Sequence, residues 1–172
     1  VGDESHIPYQ RPPLSKAYLK GDQNADKVYL RAESFYADRD IAMKLSVRAT
    51  AIDTSAKTVT LSTDETLQYD HLLISTGSRP RKLSIEGSDL SGIHYLRTMD
   101  DVDGMRDGMQ PNANLVIVGG GYIGLEVAAV GRELGLNVHV LEMEERILQR
   151  VTTPEMSAYY HQLHEGRGVN IH

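Results

Sequence analysis

Three glycines in the second half of the chain have the spacing of a dinucleotide-binding turn. Gly119, Gly121 and Gly124 form the pattern G-x-G-x-x-G directly after the apolar run at residues 115–118. The first glycine allows a tight turn out of a strand, the second lets the backbone approach a pyrophosphate, and the third lets a helix pack against the sheet. Free N–H groups and the helix dipole favour negative charge there. The pattern therefore predicts a pyrophosphate site at the start of a helix.

An acidic residue lies where such a site would contact the sugar. Glu142 follows Gly124 by 18 residues, and its carboxylate can accept hydrogen bonds from the adenosine ribose hydroxyls. An acid at this point repels a 2′-phosphate, so NADH is favoured over NADPH. Arg146 and Arg150 follow closely, and their positive charges keep the preference moderate. A glycine pattern alone also occurs in structural turns, but here strand, turn, helix, second strand and acid occur in register.

The elements that must position these residues form a βαβ unit. Short apolar runs indicate buried parallel strands, and small and apolar residues between them have helical periodicity. Proline at position 154 suits the first turn of a further helix. The predicted elements are strands at 115–118, at 137–141 and from 169, with helices at 125–135 and 154–167. This order predicts an α/β fold with Rossmann-like βαβ dinucleotide-binding units.

The first 110 residues show a different pattern. Three segments alternate apolar and polar residues and are separated by polar turns, which predicts an antiparallel β-meander inserted into the α/β fold. A more continuously apolar segment predicts a further strand, and residues 107–114 contain the Gly, Gln, Pro and Asn typical of a domain crossover. The predicted strands are 48–53, 57–61, 66–69 and 71–75, and short helices are predicted at 15–20 and 32–39.

Composition excludes several classes of protein. The formal charge of −6 arises from 18 basic and 24 acidic residues, which argues against nucleic acid as a partner. No apolar stretch reaches the roughly 18 residues that span a bilayer, and the first residues lack the features of a signal peptide. We therefore expect a cytoplasmic protein without a membrane partner. The chain has no cysteine, so any redox chemistry requires a bound cofactor.

With these motifs in order, the chain resembles the ferredoxin and rubredoxin reductases of the pyridine-nucleotide flavoprotein family. The most specific marker is the segment PYQRPPLSK at residues 8–16, which is followed by Ala17-Tyr18-Leu19. Further matches are Thr76-Gly77-Ser78-Arg79-Pro80, Tyr95-Leu96-Arg97-Thr98 and the stretch at 119–126. The resemblance covers essentially the whole sequence.

The resemblance implies two cofactors, FAD and NAD, and assigns residues to each. It places Lys16 and Glu126 as a catalytic pair beside the flavin ring, where the nicotinamide stacks. It implies FAD contacts from Asp3, Arg11, Lys16, Ala49, Thr76, Gly77 and Arg97. The NAD contacts are Gly119, Gly121, Gly124 and Glu142, with Tyr122 and Ile123 close to the nicotinamide path. Tyr122 has an alternative interpretation as core packing, and Lys16 and Glu126 as ordinary surface charges.

Cysteine usage distinguishes among the relatives. Disulfide reductases of this superfamily carry a redox cysteine pair in the segment that here spans residues 9–16, and thioredoxin-reductase relatives carry theirs where this chain has residues 104–114. Both segments lack cysteine. The resemblance then implies hydride transfer from NADH to FAD, followed by release of single electrons to a ferredoxin- or rubredoxin-type iron–sulfur protein. No metal site is expected, although His161, His164 and His172 suggest one as an alternative.

Other functions share the same folds. An NADH oxidase, a monodehydroascorbate reductase and a nitrite-reductase-like flavoprotein are enzyme alternatives. A non-catalytic NAD-sensing module is an alternative from a different class. The sequence predicts neither the individual electron carrier nor the oligomeric state.

The resemblance also implies a domain organisation. We expect two partial domains, with residues 1–110 in a partial FAD-binding domain and residues 111–172 in a partial NAD-binding domain. A first glycine fingerprint for FAD is expected before Val1, and a later FAD-contacting segment and a C-terminal domain are expected after His172.

Overall fold

Six α-helices and six β-strands make up the computed structural model, which describes residues 1–172. A 3-10 turn precedes the first helix. In chain order the elements are the 3-10 turn Pro12–Ser15, α1 (Ala17–Lys20), α2 (Ala25–Val28), α3 (Glu33–Ala37), β1 (Ala49–Asp53), β2 (Thr58–Leu61), β3 (Thr66–Gln68), α4 (Met99–Arg106), β4 (Asn114–Val118), α5 (Tyr122–Glu133), β5 (Asn137–Leu141), α6 (Pro154–Glu165) and β6 (Val169–Ile171).

The chain divides into two structural units. Unit 1 comprises Val1–Gln10 and Ala25–Arg79, and unit 2 comprises Arg11–Asn24 and Pro80–His172. The short segment that carries the 3-10 turn and α1 therefore belongs to unit 2. The predicted division at residues 110 and 111 concerns which cofactor each part binds, and it stays a prediction.

Unit 1 is built on the antiparallel meander β1-β2-β3. Strand β2 is central, and its Val59 and Leu61 are buried while the alternate threonines are half-buried. The turn between β1 and β2 is closed by Asp53 Oδ1, which accepts hydrogen bonds from the N–H groups of Ser55 and Ala56. The predicted meander is confirmed. Strand β2 shows the alternation of buried and less buried residues expected for a strand, whereas all five residues of β1 are exposed.

The prediction of a strand over residues 71–75 is wrong. This segment has no regular secondary structure, and the side chains of Leu73 and Ile74 are 87% and 65% exposed. An apolar run becomes a strand only when a neighbouring strand pairs with its N–H and C=O groups. None of the strands of unit 1 pairs with this segment.

Unit 2 contains a parallel sheet in the order β4-β5-β6. Helix α5 connects β4 to β5, and α6 connects β5 to β6, so the predicted βαβ unit and the third strand are confirmed. The core between the sheet and the helices consists of Ala128, Leu136, Val138, Val140 and Val169. Burial of each valine or leucine side chain contributes about 1.5–3 kcal/mol.

The other face of this sheet is open. Val116 and Val118 of β4 are 57% and 62% exposed, and Leu141 of β5 is 42% exposed. The strands therefore alternate between a buried and an exposed side, and the prediction that 137–141 is a buried strand holds for one face only. No helix of the structure has the length and apolar character needed to cross a bilayer.

Two contacts between α1 and α4 fix the position of α1 within unit 2. The buried Tyr18 donates its hydroxyl hydrogen to Asp103, with O–O distances of 3.0 and 3.1 Å to the two carboxylate oxygens. Arg106 donates to the backbone carbonyl of Tyr18 and lies over its ring. A capping box between Thr98 and Asp101 begins α4. Helix α1 is thereby held although it is only one turn long.

Candidate functional site

The glycine turn between β4 and α5 has the backbone geometry that its sequence predicts. Gly119 has φ 109°, a conformation that glycine adopts readily. A Cβ added to Gly124 would lie 2.1 Å from the carbonyl oxygen of Gly119, so the helix starts in direct contact with the turn. A Cβ added to Gly121 would meet nothing within 4 Å. The turn is therefore tight on the side of the sheet and open above Gly121.

The N-terminus of α5 lies at this open side. Gly121 is the N-cap residue, and no side chain caps the helix there. The first N–H groups of a helix have no partner within the helix and attract an anion. Tyr122 and Ile123, the first two helical residues, are each 55% exposed, so the alternative that Tyr122 packs into the core is wrong.

Glu142 lies against the glycine turn. Its Oε2 accepts a 2.7 Å hydrogen bond from the N–H of Gly120, and its Oε1 accepts one of 2.9 Å from the N–H of Glu144. The predicted acid and the predicted turn are thus brought together at the carboxyl ends of β4 and β5. The carboxylate is fixed by two backbone donors and keeps lone pairs for further donors.

The segment between β5 and α6 packs against the same turn. Leu148 donates its N–H to the carbonyl of Gly120 at 2.9 Å. The buried Ile147 lies so close that a Cβ on Gly120 would come within 2.6 Å of it. This segment therefore forms part of the wall of the candidate site.

Arg146 organises that segment internally. Its guanidinium donates to the carbonyl oxygens of Gln149, Thr152 and Thr153 and to the hydroxyl of the buried Ser157. Arg146 is therefore half-buried, and its guanidinium is bound to the chain that follows it. Because the guanidinium binds the backbone of its own segment, Arg146 does not moderate the preference for NADH over NADPH as the sequence suggested.

Arg150 is engaged differently. Its Nε lies 3.0 Å from Oε1 of Glu144, and its Nη2 contacts the same oxygen. The hydrogen bond and the charge of Glu144 raise the pKa of Arg150, and the more distant charge of Glu142 adds to this rise. Arg150 is therefore paired with Glu144, whose N–H binds the carboxylate of Glu142.

Lys16 and Glu126 form an ion pair within unit 2. Lys16 Nζ lies 2.7 Å from Glu126 Oε2, and it also donates to the carbonyl of Pro12 at 3.2 Å. Glu126 lies one turn after Tyr122 in α5. The two residues therefore share a face of the helix, since their spacing is i and i+4. The predicted pair is thus brought together, although the side chains lie 110 positions apart.

Ser15 is a site residue that the sequence analysis missed. Its side chain is buried, and Oγ donates to Glu126 Oε2 at 2.5 Å, the same oxygen that Lys16 contacts. A hydroxyl bound to a carboxylate forms one of the stronger hydrogen bonds. Its position next to Lys16 in the marker segment is the signal that could have identified it.

Two further predicted residues of unit 2 contact each other. Arg11 donates from Nη1 to the carbonyl oxygen of Arg97 at 2.7 Å. The N–H of Arg97 is in turn bonded to Asp101 Oδ2 at 3.0 Å, so the N-terminal cap of α4 holds Arg97 in place. The two arginines predicted along the FAD thus lie side by side.

The remaining predicted residues belong to unit 1. Asp3 forms an exposed ion pair with Arg48 at 2.7 Å, and Ala49 is the first residue of β1. Thr76 and Gly77 lie in the exposed segment after the meander, where Gly77 has φ 68°. Within unit 1 the structure does not join Thr76 or Gly77 to Asp3 by any hydrogen bond.

The histidines considered as metal ligands have other neighbours. His161 pairs with Glu165 at 3.2 Å, and the ring of His172 stacks on His139. No group of three or more His, Asp or Glu residues in positions 1–172 has the arrangement of a metal site.

The geometry of unit 2 fits a dinucleotide. An uncapped helix N-terminus and the open side of Gly121 suit a diphosphate, and the carboxylate of Glu142 suits sugar hydroxyls. The ion pair of Lys16 and Glu126 lies on the same helix α5 and suits a flavin whose charge changes on reduction.

Comparison with known proteins agrees with this geometry. The family model described as pyridine nucleotide-disulphide oxidoreductase matches residues 1–172. Similar curated proteins include the probable ferredoxin reductase CtmF of Castellaniella defragrans, 43% identical over 171 residues, and putidaredoxin reductase CamA of Pseudomonas putida, 41% identical over 174 residues. Each alignment covers 99% of this chain and 42% or 41% of the relative. The chain therefore spans well under half the length of the curated relatives it matches.

Solved structures show the same fold. The covalent putidaredoxin reductase-putidaredoxin complex matches with a TM-score of 0.93 and 40% identity, covering 99% of this chain and 42% of that one. The ferredoxin reductase for the CYP199A2 system from Rhodopseudomonas palustris matches with a TM-score of 0.90 and 40% identity, covering 100% and 43%. The α/β fold with Rossmann-like units is confirmed.

Proposed function

The chain belongs to the pyridine nucleotide-disulphide oxidoreductase family, and from this premise we propose that it serves an NADH-dependent FAD reductase that passes electrons to a ferredoxin- or rubredoxin-type iron–sulfur protein. Relatives at about 40% identity include a rubredoxin-NAD(+) reductase and a putidaredoxin reductase, both of Pseudomonas putida. We assign FAD contacts chiefly to residues 1–110 and NADH contacts to residues 111–172, and we place the protein in the cytoplasm.

The hydrogen bond between Gly120 and Glu142 is the observation that carries the proposal. It places a carboxylate beside the uncapped start of α5. The N–H groups at Gly121 to Ile123 would bind the diphosphate of NADH, and Glu142 would accept hydrogen bonds from the ribose hydroxyls. A negative charge in this position disfavours a 2′-phosphate, which supports NADH over NADPH.

The pair of Lys16 and Glu126 supports the flavin side of the proposal. When bound, FAD supplies acceptance of a hydride from NADH and release of single electrons to a one-electron carrier. Lys16 Nζ would stabilise negative charge beside the flavin, and Glu126 Oε2 would hold the ammonium in place. Arg11 and Arg97 would bind along the cofactor, and Asp3, Ala49, Thr76 and Gly77 would complete its contacts.

The absence of cysteine supports electron release over thiol exchange. A redox cysteine pair cannot lie within residues 1–172. The relatives named ferredoxin–NAD(P)(+) reductase and rubredoxin-NAD(+) reductase agree with this choice.

A spectroscopic experiment tests the proposal. The purified holoenzyme is mixed anaerobically with NADH, and flavin absorbance is followed before ferredoxin, rubredoxin or oxygen is added. We expect bleaching by NADH, fast reoxidation by an iron–sulfur protein and slow reoxidation by oxygen. Fast reoxidation by oxygen alone would instead favour an NADH oxidase. NADH binding without bleaching would overturn the proposal in favour of a nucleotide sensor.

A matched pair of variants connects the result to the site. Lys16→Gln removes the ammonium beside Glu126 and is expected to slow flavin reduction by about a hundredfold, the size of effect that loss of one electrostatic group produces. Lys27→Gln removes a lysine of unit 1 that makes no ion pair and serves as the control. Equal rates in the two variants would contradict the role of Lys16.

A further inference from the structure

We propose that Glu144 is a specificity-determining residue that keeps the guanidinium of Arg150 away from the 2′ position of a bound dinucleotide. The inference rests on the proposed NADH-binding function and adds a mechanism for rejection of NADPH. Glu144 follows Glu142 by two residues, in the segment that connects β5 to α6.

Both carboxylate oxygens of Glu144 are occupied. Oε1 accepts from Nε of Arg150 at 3.0 Å and also from its Nη2, while Oε2 accepts from Nε2 of Gln149 at 3.1 Å. The Glu144 side chain is 29% exposed, against 68% for that of Arg150. The carboxylate is therefore the more buried member of the pair, and it holds the more exposed guanidinium of Arg150.

Arg150 is the cation in this segment that could serve a phosphate. Arginine binds phosphate through paired N–H donors. Glu144 links Arg150 to Glu142, because its side chain binds the guanidinium and its N–H binds Oε1 of Glu142. Arg146 cannot replace it, because its donors already bind three carbonyl groups and the hydroxyl of Ser157. Release of Arg150 alone would therefore supply a 2′-phosphate with a partner.

The side chain of Glu144 can be changed without loss of the hydrogen bond between Glu144 and Glu142. The bond from Glu144 to Glu142 comes from the backbone N–H, which every substitution except proline retains. The side chain thus acts on Arg150, whereas the backbone acts on the ribose-binding acid. A variant at position 144 separates rejection of NADPH from affinity for NADH.

Binding and kinetics of the holoenzyme test the proposal. Glu144→Ala is compared with Glu145→Ala, which removes the same charge one residue away from an exposed side chain, and with the double variant Glu144→Ala/Arg150→Ala. Calorimetry measures the affinity for 5′-AMP and for 2′,5′-ADP, and steady-state assays measure kcat/KM for NADH and NADPH. Binding of 5′-AMP and 2′,5′-ADP reports on the sugar site independently of hydride transfer, because neither compound carries a nicotinamide.

We expect Glu144→Ala to raise the affinity for 2′,5′-ADP and kcat/KM for NADPH by about tenfold, the effect of one added charge-assisted hydrogen bond, with the values for 5′-AMP and NADH little changed. The gain should be absent in Glu145→Ala and lost in the double variant. An equal gain in Glu145→Ala, or a gain that survives removal of Arg150, would overturn the proposal. Failure of the wild-type protein to bind NADH or 5′-AMP would instead contradict the proposed function.

Discussion

The N–H of Gly120 donates a 2.7 Å hydrogen bond to Oε2 of Glu142, and this bond joins the glycine turn to the end of β5. The parallel register of the sheet makes this hydrogen bond possible. Val118 is paired with Leu141, so the carboxyl ends of β4 and β5 lie side by side. The carboxylate is therefore oriented before a ligand arrives. Preorganisation of this kind lowers the entropic cost of binding.

Loss of the Glu142 carboxylate should weaken NADH binding. Glu142→Ala removes hydrogen bonds to a charged group, each of which contributes about 1.5–3 kcal/mol, so we expect Kd for NADH to rise by about 10- to 100-fold. NADH titration of the holoenzyme measures this change. Glu133→Ala at the far end of α5 removes an equal charge that pairs with Lys20, and it should leave Kd unchanged. Similar Kd values in both variants would contradict the assigned role of Glu142.

Gly124 should not tolerate even a methyl group. A Cβ at this position would lie 2.1 Å from the carbonyl oxygen of Gly119 and 3.3 Å from Ile117 Cγ2, so Gly124→Ala must displace α5 from the turn. We expect a loss of about 1–3 kcal/mol in the free energy of unfolding, as for overpacked positions. Chemical denaturation measures it.

The control for this change is Gly104→Ala in α4, where an added Cβ meets nothing within 4 Å. Alanine is favoured over glycine in a helix interior, so this variant should gain about 0.5–1 kcal/mol. Opposite signs at the two glycines are the expected outcome, and a neutral effect of Gly124→Ala would show that the turn can relax.

The sequence predicted unit 2 well because local signals there agree. The glycines, the apolar runs and Pro154 each specify a start or an end of an element, and the observed bounds of α5, β5 and α6 lie close to those predicted. A short strand that is followed by a glycine turn, a helix and a second strand fits the βαβ unit of an α/β fold. The position of Glu142 follows from this register.

Other features depend on contacts that have no local signal. Residues 71–75 have the composition of a strand, but pairing decides whether a strand forms, and composition does not reveal the partner. The bond from Ser15 to Glu126 spans 111 positions and depends on how α1 is held. The contacts of Arg146 depend on a loop path whose residues have no periodicity.

Ser15 should influence hydride transfer through Glu126. Ser15→Ala removes the buried hydroxyl from Oε2 of Glu126, so the carboxylate holds Lys16 less firmly. We expect a several-fold lower rate of flavin reduction, a changed flavin reduction potential and an unchanged Kd for NADH, together with about 1–2 kcal/mol lower stability. Stopped-flow spectroscopy and potentiometry measure these quantities. Ser55→Ala changes an exposed turn serine and is the control; lower stability without a change in potential would indicate a structural role alone.

Tyr18 should make the stability of the protein sensitive to alkaline pH. Burial, and then the hydrogen bond to Asp103, raise the pKa of the Tyr18 hydroxyl above its ordinary value of 10.0. The stabilisation is therefore complete below about pH 10 and is lost as pH rises through the folded pKa. We expect Tyr18→Phe to cost about 1 kcal/mol at neutral pH and to show less of this alkaline loss than the wild type. Tyr159→Phe, at a 57% exposed position, should follow the wild-type profile in denaturation experiments.

Arg146 should contribute more to stability than its place in a connecting segment suggests. Its guanidinium donates to four acceptors between Gln149 and Ser157. The hydroxyl of Ser157 in turn donates to the carbonyl oxygen of Ile147 at 2.7 Å. The single ammonium group of lysine cannot reproduce the planar set of N–H donors of a guanidinium, so Arg146→Lys leaves some of these acceptors without partners. We expect a loss of about 2 kcal/mol in the free energy of unfolding.

Arg150→Lys is the matched comparison for Arg146→Lys, because Arg150 is an exposed arginine of the same segment whose ion pair should contribute at most about 1 kcal/mol. Denaturant titration of both variants measures the difference. Because Ile147 lies against Gly120, we also expect the Arg146 variant to bind NADH more weakly, whereas Arg150→Lys should not. Equal stability of the two variants would show that the segment is held by its apolar contacts rather than by the guanidinium of Arg146.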